Sequence, residues 1–185
     1  MKLTKNFALN EFLVSTHYTP HQLSQYLSKE HRENIFLLAL QLQKIRDIVN
    51  LPLRITSGFR PPFLNRQVGG SPNSLHITGK ACDFTAFSKE NNKKVLKAIV
   101  DLIKEDKILV GELIVYLTPE DDKTINRFHL SIPNLEPLRL QSFLLSKEGT
   151  KAYAPCTIEI LEKLAGGENK DEPEKNIGDR KSKNR

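Results

Sequence analysis

Tryptophan is absent from this 185-residue chain, methionine occurs once and cysteine only twice. The two cysteines, Cys82 and Cys156, form neither a metal-spaced pair nor a disulfide framework. That excludes disulfide-stapled miniature folds and cysteine-rich zinc modules, and it suits a reducing compartment. Long apolar runs are also missing, so no membrane insertion is expected. The opening Met1-Lys2-Leu3-Thr4-Lys5-Asn6-Phe7 is basic but has no apolar stretch and no small-residue cleavage site. It does not read as a secretory signal, and the expected location as synthesised is the cytoplasm. Neither Ser28-Lys29 nor Ser146-Lys147 supplies the Ser-x-x-Lys spacing of one class of serine nucleophile.

Charge is present in quantity: 28 Lys and Arg against 22 Asp and Glu give a net charge of +6. Such a chain is drawn to polyanions. Its cations are scattered along amphipathic segments rather than gathered between aromatics, so nucleic acid is not an expected partner. With 38% hydrophobic residues, the length suits one domain with a real core plus a tail, and a monomer is expected.

Periodicity predicts the scaffold. Thr19-Pro20 opens a helix with a capping residue and a first-turn proline, and Ile35, Leu38, Leu42, Ile45 and Val49 form a helical core stripe. Leu51 to Ser57 reads as a strand, and Pro61 to Val68 as a short helix or turn closed by Gly69-Gly70. Ser88 caps a second amphipathic helix carrying Val95, Leu96, Ile99, Leu102 and Ile103. Strands follow at Glu112 to Leu117 and Arg127 to Ile132. The expected fold class is α+β, with helices packed on a small, mostly antiparallel sheet. Residues 1–145 form the predicted domain and 146–165 a C-terminal extension. Leu135 to Leu145 forms a predicted short element and Thr157 to Leu164 a helix. From 166 to 185 the chain is charged and predicted disordered.

Two imidazoles and one carboxylate stand out against this scaffold. His76 lies in a polar, glycine-bounded turn, and Asp83 follows at the mouth of the short strand Ala81-Cys82-Asp83-Phe84. Cys82 should face away from Asp83, into the core. In Phe128-His129-Leu130-Ser131-Ile132, alternation sets His129 and Ser131 on one face and the apolar residues on the other. Three ligands of this kind leave the fourth position of a tetrahedral zinc ion for water or substrate. His17, His21 and His31 have no acidic or cysteine partner at ligand spacing and are read as surface residues.

Ser-x-His-x-x-Gly-x-Ala-x-Asp, from Ser74 to Asp83, resembles the signature of the zinc D,D-peptidases, which include D-alanyl-D-alanine carboxypeptidases, VanX-type dipeptidases and several phage endolysins. The same fold underlies the hedgehog signalling domain. Ile55-Thr56-Ser57-Gly58-Phe59-Arg60-Pro61 and Asn65-Arg66-Gln67-Val68-Gly69-Gly70 are similar to the segment before the first histidine in a compact bacterial and phage branch. Glu112-Leu113-Ile114-Val115-Tyr116 and Phe128-His129-Leu130-Ser131 resemble the strands that carry the last ligand. Leu3 to Phe12 extends the likeness at the start.

The resemblance implies a hedgehog/D,D-peptidase-like fold, His76, Asp83 and His129 as ligands of Zn2+, and Arg60 as the cation that holds a substrate carboxylate or carbonyl oxygen. Arg60 read without the family is equally a structural arginine before a Pro-Pro turn. Ser74 either bonds substrate or caps the turn leading to His76. The implied activity is hydrolysis of peptidoglycan stem peptides or their precursors, as carboxypeptidase or endopeptidase, at a cell wall reached by release or through another export system. Two rival readings are a non-catalytic zinc-stabilised peptidoglycan-binding module and a phage structural protein.

One part of the family pattern is missing. Many relatives carry a glutamate base three residues before the last histidine or at the end of the preceding strand, and those positions here hold Asn126 and Tyr116. A phenol near pKa 10 is a poor base, although Tyr116 suits hydrogen bonding to a tetrahedral intermediate. Glu112 shares Tyr116's face but lies about 13 Å along the strand, which suggests a place remote from the metal. Glu120, Asp121 and Asp122, in the loop between the strands, are the other candidates and read equally as solvated turn formers.

Overall fold

The structure, a computed structural model, describes residues 1–134 and 141–166. Capping chemistry sets the helix starts. Thr19 accepts from the Gln22 amide at the head of α1 (Pro20–Ser24), and Ser28 accepts from the His31 amide at the head of α2 (Lys29–Val49). His31 returns the bond, its Nδ1 accepting from the Ser28 amide at 3.2 Å, so this half-buried histidine serves as a cap. Asn50, in the left-handed region at φ 49°, ends α2. Ser88 caps α4 (Lys89–Lys104). The apolar stripes of α2 and α4 are buried together in one core.

Six strands form one sheet in the order β1-β2-β4-β3-β5-β6, where β1 is Arg54–Ser57, β2 Ala81–Thr85, β3 Glu112–Leu117, β4 Ile125–Ser131, β5 Ser142–Lys147 and β6 Tyr153–Pro155. All neighbours are antiparallel except β3 and β5, which are parallel. Alternation divides the sheet sharply. Cys82, Phe84, Leu113, Val115, Leu117, Phe128, Leu130, Phe143 and Leu145 turn toward the helices and join the core. Asp83, Glu112, Ile114, Tyr116, Arg127, His129, Ser131, Ser142 and Leu144 line a cleft on the opposite face.

The predicted elements recur with modest changes of boundary. β1 begins at Arg54, past Pro52, and the short helix α3 spans Pro62–Gln67. Asp83 lies in the middle of β2, not at its mouth. The boundary drawn after residue 145 falls inside β5, which pairs with β3 along its full length, so the following segment belongs to the same sheet. After it, α5 (Ile158–Leu164) buries Leu161 beside α4. Residues 135–140 of the predicted short element lie outside the described residues, as does the predicted tail beyond Gly166. No helix among the described residues is long and apolar enough to cross a membrane.

Gly58, just after β1, holds the N-terminal segment against the sheet. A Cβ there would lie 2.2 Å from the backbone oxygen of Phe12, whose carbonyl accepts the Phe59 amide at 2.8 Å. Because the clash is with backbone, no rotamer change relieves it. Gly58→Ala should therefore destabilise the fold by about 1–3 kcal/mol or more, visible as a lowered midpoint in denaturant unfolding. An unchanged midpoint would show that the two segments separate easily.

Candidate metal centre

The centre is built from one loop and two paired strands. Asp83 on β2 stands directly across from His129 on β4, and the two side chains meet with His129 Nδ1 at 2.8 Å from Asp83 Oδ1. His76 arrives from the loop between α3 and β2. Asn34 of α2 donates to the Thr78 carbonyl at 2.9 Å, and Gly79, at φ +73°, packs its backbone against His31 and Ile35 of the same helix. Any Cβ at Gly79 would crowd α2 as well as strain the backbone. The loop is thus pinned to the helix layer and delivers a fully enclosed imidazole beneath the cleft.

Tautomers follow from the partners. Only a donor can face the Gly58 carbonyl, so His76 Nδ1, 2.8 Å away, carries the proton and Nε2 presents a lone pair. That nitrogen lies 3.2 Å from His129 Nδ1 and 3.5 Å from Asp83 Oδ1. The three edges of the ligand triangle are therefore 2.8, 3.2 and 3.5 Å. A tetrahedral ion held by bonds of about 2.0–2.1 Å needs edges of about 3.3–3.4 Å. The observed spacing is close to this, and an imidazole nitrogen from each histidine and a carboxylate oxygen are a donor set that suits zinc, so the residues present fit a metal ion.

Burial pushes the His76 imidazole below its ordinary pKa, which keeps it neutral and ready to ligate. Burial alone would raise Asp83, but the His129 and His76 imidazoles beside it outweigh that and hold the carboxyl well below the usual range. Among the described residues, these are the three His, Cys, Asp or Glu side chains with ligand atoms all within 4.8 Å of one another.

The other predicted site residues gather around the same cleft, whose volume is about 1030 Å³. Arg60 Nη2 donates to Ser74 Oγ at 3.3 Å, while its buried Nε has no partner among the described residues. Burial lowers the Arg60 pKa, partly offset by Asp83 and Tyr116. Glu112 is nearer than its distance along β3 suggested, with Oε1 3.5 Å from His129 Nε2. The correction comes from pairing: Glu112 is opposite Ser131 and Ile114 opposite His129, so the carboxylate reaches the histidine diagonally across the sheet.

Tyr116 also lines the cleft, its phenol pushed up by burial and by the Tyr153 hydroxyl, so it can donate but not act as a base. The acidic loop stays away: Asp121 bonds the Lys123 and Thr124 amides and Asp122 pairs with Lys147 at 2.8 Å. Asn126 donates to Glu148 and does not face the metal cluster.

The sequence model of the family described as Peptidase M15 matches residues 5–113, more than half of the chain. The chain belongs to the peptidase M15 family. Within the matched M15 segment lie Arg60, Ser74, His76, Asp83 and Glu112; Tyr116 and His129 follow it. A search of curated proteins returns no match. Membership of this metallopeptidase family agrees with the zinc D,D-peptidase likeness of the Ser74–Asp83 motif and with a metal-ligating His-Asp-His cluster.

Two residues beside the cluster escaped the sequence reading. Arg127 stacks over the Tyr116 ring at 3.7 Å, and its place two residues before His129 on an alternating strand is a usable signal. Glu148, paired with Arg127, had no such signal, because its proximity depends on the parallel pairing of β5 with β3.

Asp83→Ala and His129→Ala should each reduce tightly bound metal from one equivalent to near zero, measured by elemental analysis. Protons compete for His76 Nε2, and the lowered pKa of His76 means that its share of this competition begins only below about pH 6.5. Metal affinity from competition titrations should thus fall as pH drops below that value. Binding that strengthens on acidification would contradict the assignment of His76 as a neutral ligand.

Proposed function

We propose that this M15 domain is a zinc-dependent peptidase that hydrolyses peptidoglycan stem peptides or the D-Ala-D-Ala-type termini of their precursors. The observation that carries the reading is the set of three ligand atoms at near-tetrahedral spacing in a cleft that also presents Arg60 and Glu112. The substrate class is supported by the likeness of the Ser74–Asp83 motif to D,D-peptidases, and a net charge of +6 suits work beside an anionic wall. In this reading the domain acts as a monomer, at the wall, after release or export by another system.

A bound zinc ion would polarise the scissile carbonyl and lower the pKa of water. The chain's own groups do the rest. Arg60, with an unpartnered Nε among the described residues, binds a carbonyl or terminal carboxylate oxygen, and Ser74 keeps its guanidinium turned into the cleft. Glu112 takes the proton of the attacking water and passes it to the leaving amine. Tyr116 stays protonated and donates a hydrogen bond to the oxygen that gains charge. Burial holds His76 neutral, and the imidazoles beside Asp83 hold its carboxyl anionic.

The first experiment measures zinc content and the release of D-alanine or muropeptides from purified peptidoglycan, with wild type beside His129→Ala. One equivalent of zinc with His129-dependent release is the expected result. Zinc without release would mean a binding module, and no zinc would end the reading. Glu112→Gln should keep its zinc while kcat falls about 10²–10⁴-fold. Arg60→Ala should raise KM with metal content intact; loss of metal as well would show that Arg60 serves the fold instead of the substrate.

A further inference from the structure

Asp83 has two carboxylate oxygens, and only one faces the histidines. Oδ1 is the atom 2.8 Å from His129 and 3.5 Å from His76, whereas Oδ2 lies 3.4 Å from Nη1 of Arg127. Arg127 has little freedom of its own. Its Nε is 2.8 Å from Glu148 Oε2 and its Nη2 3.1 Å from Glu148 Oε1, a two-pronged pair, while its guanidinium rests on the Tyr116 ring. Glu148 is placed in turn by backbone: its amide donates to the Leu117 carbonyl at 2.8 Å just past the end of β5, and Asn126 Nδ2 donates to Oε2 at 3.3 Å.

We infer that Arg127, clamped by Glu148, is a positioning residue for Asp83, and that the segment following β5 thereby completes the metal centre. The inference rests on the reading of His76, Asp83 and His129 as ligands and adds what decides how Asp83 binds. A carboxylate held by a cation at Oδ2 offers the metal Oδ1 alone, which preserves three single-atom ligands and an open fourth position. The same device handles charge. A lone guanidinium beside a divalent ion would repel it, and the Glu148 carboxylate offsets that repulsion while fixing the fork. Lysine could not replace Arg127, because a point charge on a flexible stem cannot hold Glu148 with two prongs, reach Asp83 and stack on Tyr116 together.

A purely structural role is the competing account, in which the pair merely ties β4 to the end of β5. Charge-neutral removal separates the two. The full chain, stripped of metal, would be compared as wild type, as Arg127→Met with Glu148→Gln, and as Arg127→Lys. Three readouts are taken: thermal midpoint of the apo form, zinc affinity by chelator competition, and visible absorption of the cobalt(II) form.

Both variants should bind zinc about 10–100-fold more weakly than wild type. Their cobalt absorption should lose intensity as Asp83 turns to chelate through both oxygens and the coordination number rises. Variants that bind zinc within about twofold of wild type with an unaltered cobalt spectrum, whatever their thermal midpoint, would overturn the inference and leave the strand tie; about twofold is well below the loss typical of such partners. Should the double variant fail to fold, Arg127→Lys, which keeps the charge, decides the matter by the same readouts. A wild type without His129-dependent zinc uptake would instead overturn the ligand reading, and this inference with it.

Discussion

The pairing of β2 with β4 is the constraint on which the centre depends. In its observed register Asp83 faces His129 across the ladder and Cys82 faces Leu130, so one face of the pair carries ligands and the other carries core. A slip of one residue would turn Asp83 toward the helices and Cys82 toward the cleft. Burial of Cys82 and Phe84 opposes that slip strongly, since it would expose both side chains and bury a carboxylate. The hydrophobic core thus fixes the register that sets Asp83 opposite His129.

His76 is secured in another way. It belongs to no strand, and its position follows from a chain of backbone contacts: Phe12 against Gly58, Gly58 against the His76 imidazole, and the turn around Gly79 against α2. The first and last are close approaches of main chain that leave little room for a Cβ, and the second is a hydrogen bond to the ring. The price of enclosing the imidazole is a loss of solvation, which the hydrogen bond to Gly58 offsets on one side and a bound metal ion would offset on the other. The N-terminal segment, distant from any chemistry, is for this reason part of the centre's support.

The candidate site lies on the sheet face that the helices leave open. β3 contributes Glu112 and Tyr116, β4 Arg127 and His129, β2 Asp83, and β5 and β6 close the far side of the cleft with Ser142, Leu144 and Tyr153. One strand order explains why these residues, spread over most of the chain, share a cleft. It also explains why the segment after residue 141 is a wall of the cleft and not an appendage: its first strand is hydrogen-bonded directly to the strand that bears Glu112 and Tyr116.

Local information determined a good deal. The capping residues Thr19, Ser28 and Ser88, the helical stripes and the alternation around His129 marked the elements, because these signals lie within a turn or two of chain. The motif from Ser74 to Asp83 and the segment around Arg60 pointed to the family and to the three ligands. Long-range pairing alone decided the rest. Glu112 looked remote when measured along its own strand and proved adjacent to His129 across the sheet; Glu148 reached Arg127 through a parallel pairing that no local pattern encodes. Sequence carries which face a side chain takes on its own element, through a period of two or 3.6 residues, but which element lies alongside is set by how the whole core packs, and that only the tertiary structure could decide.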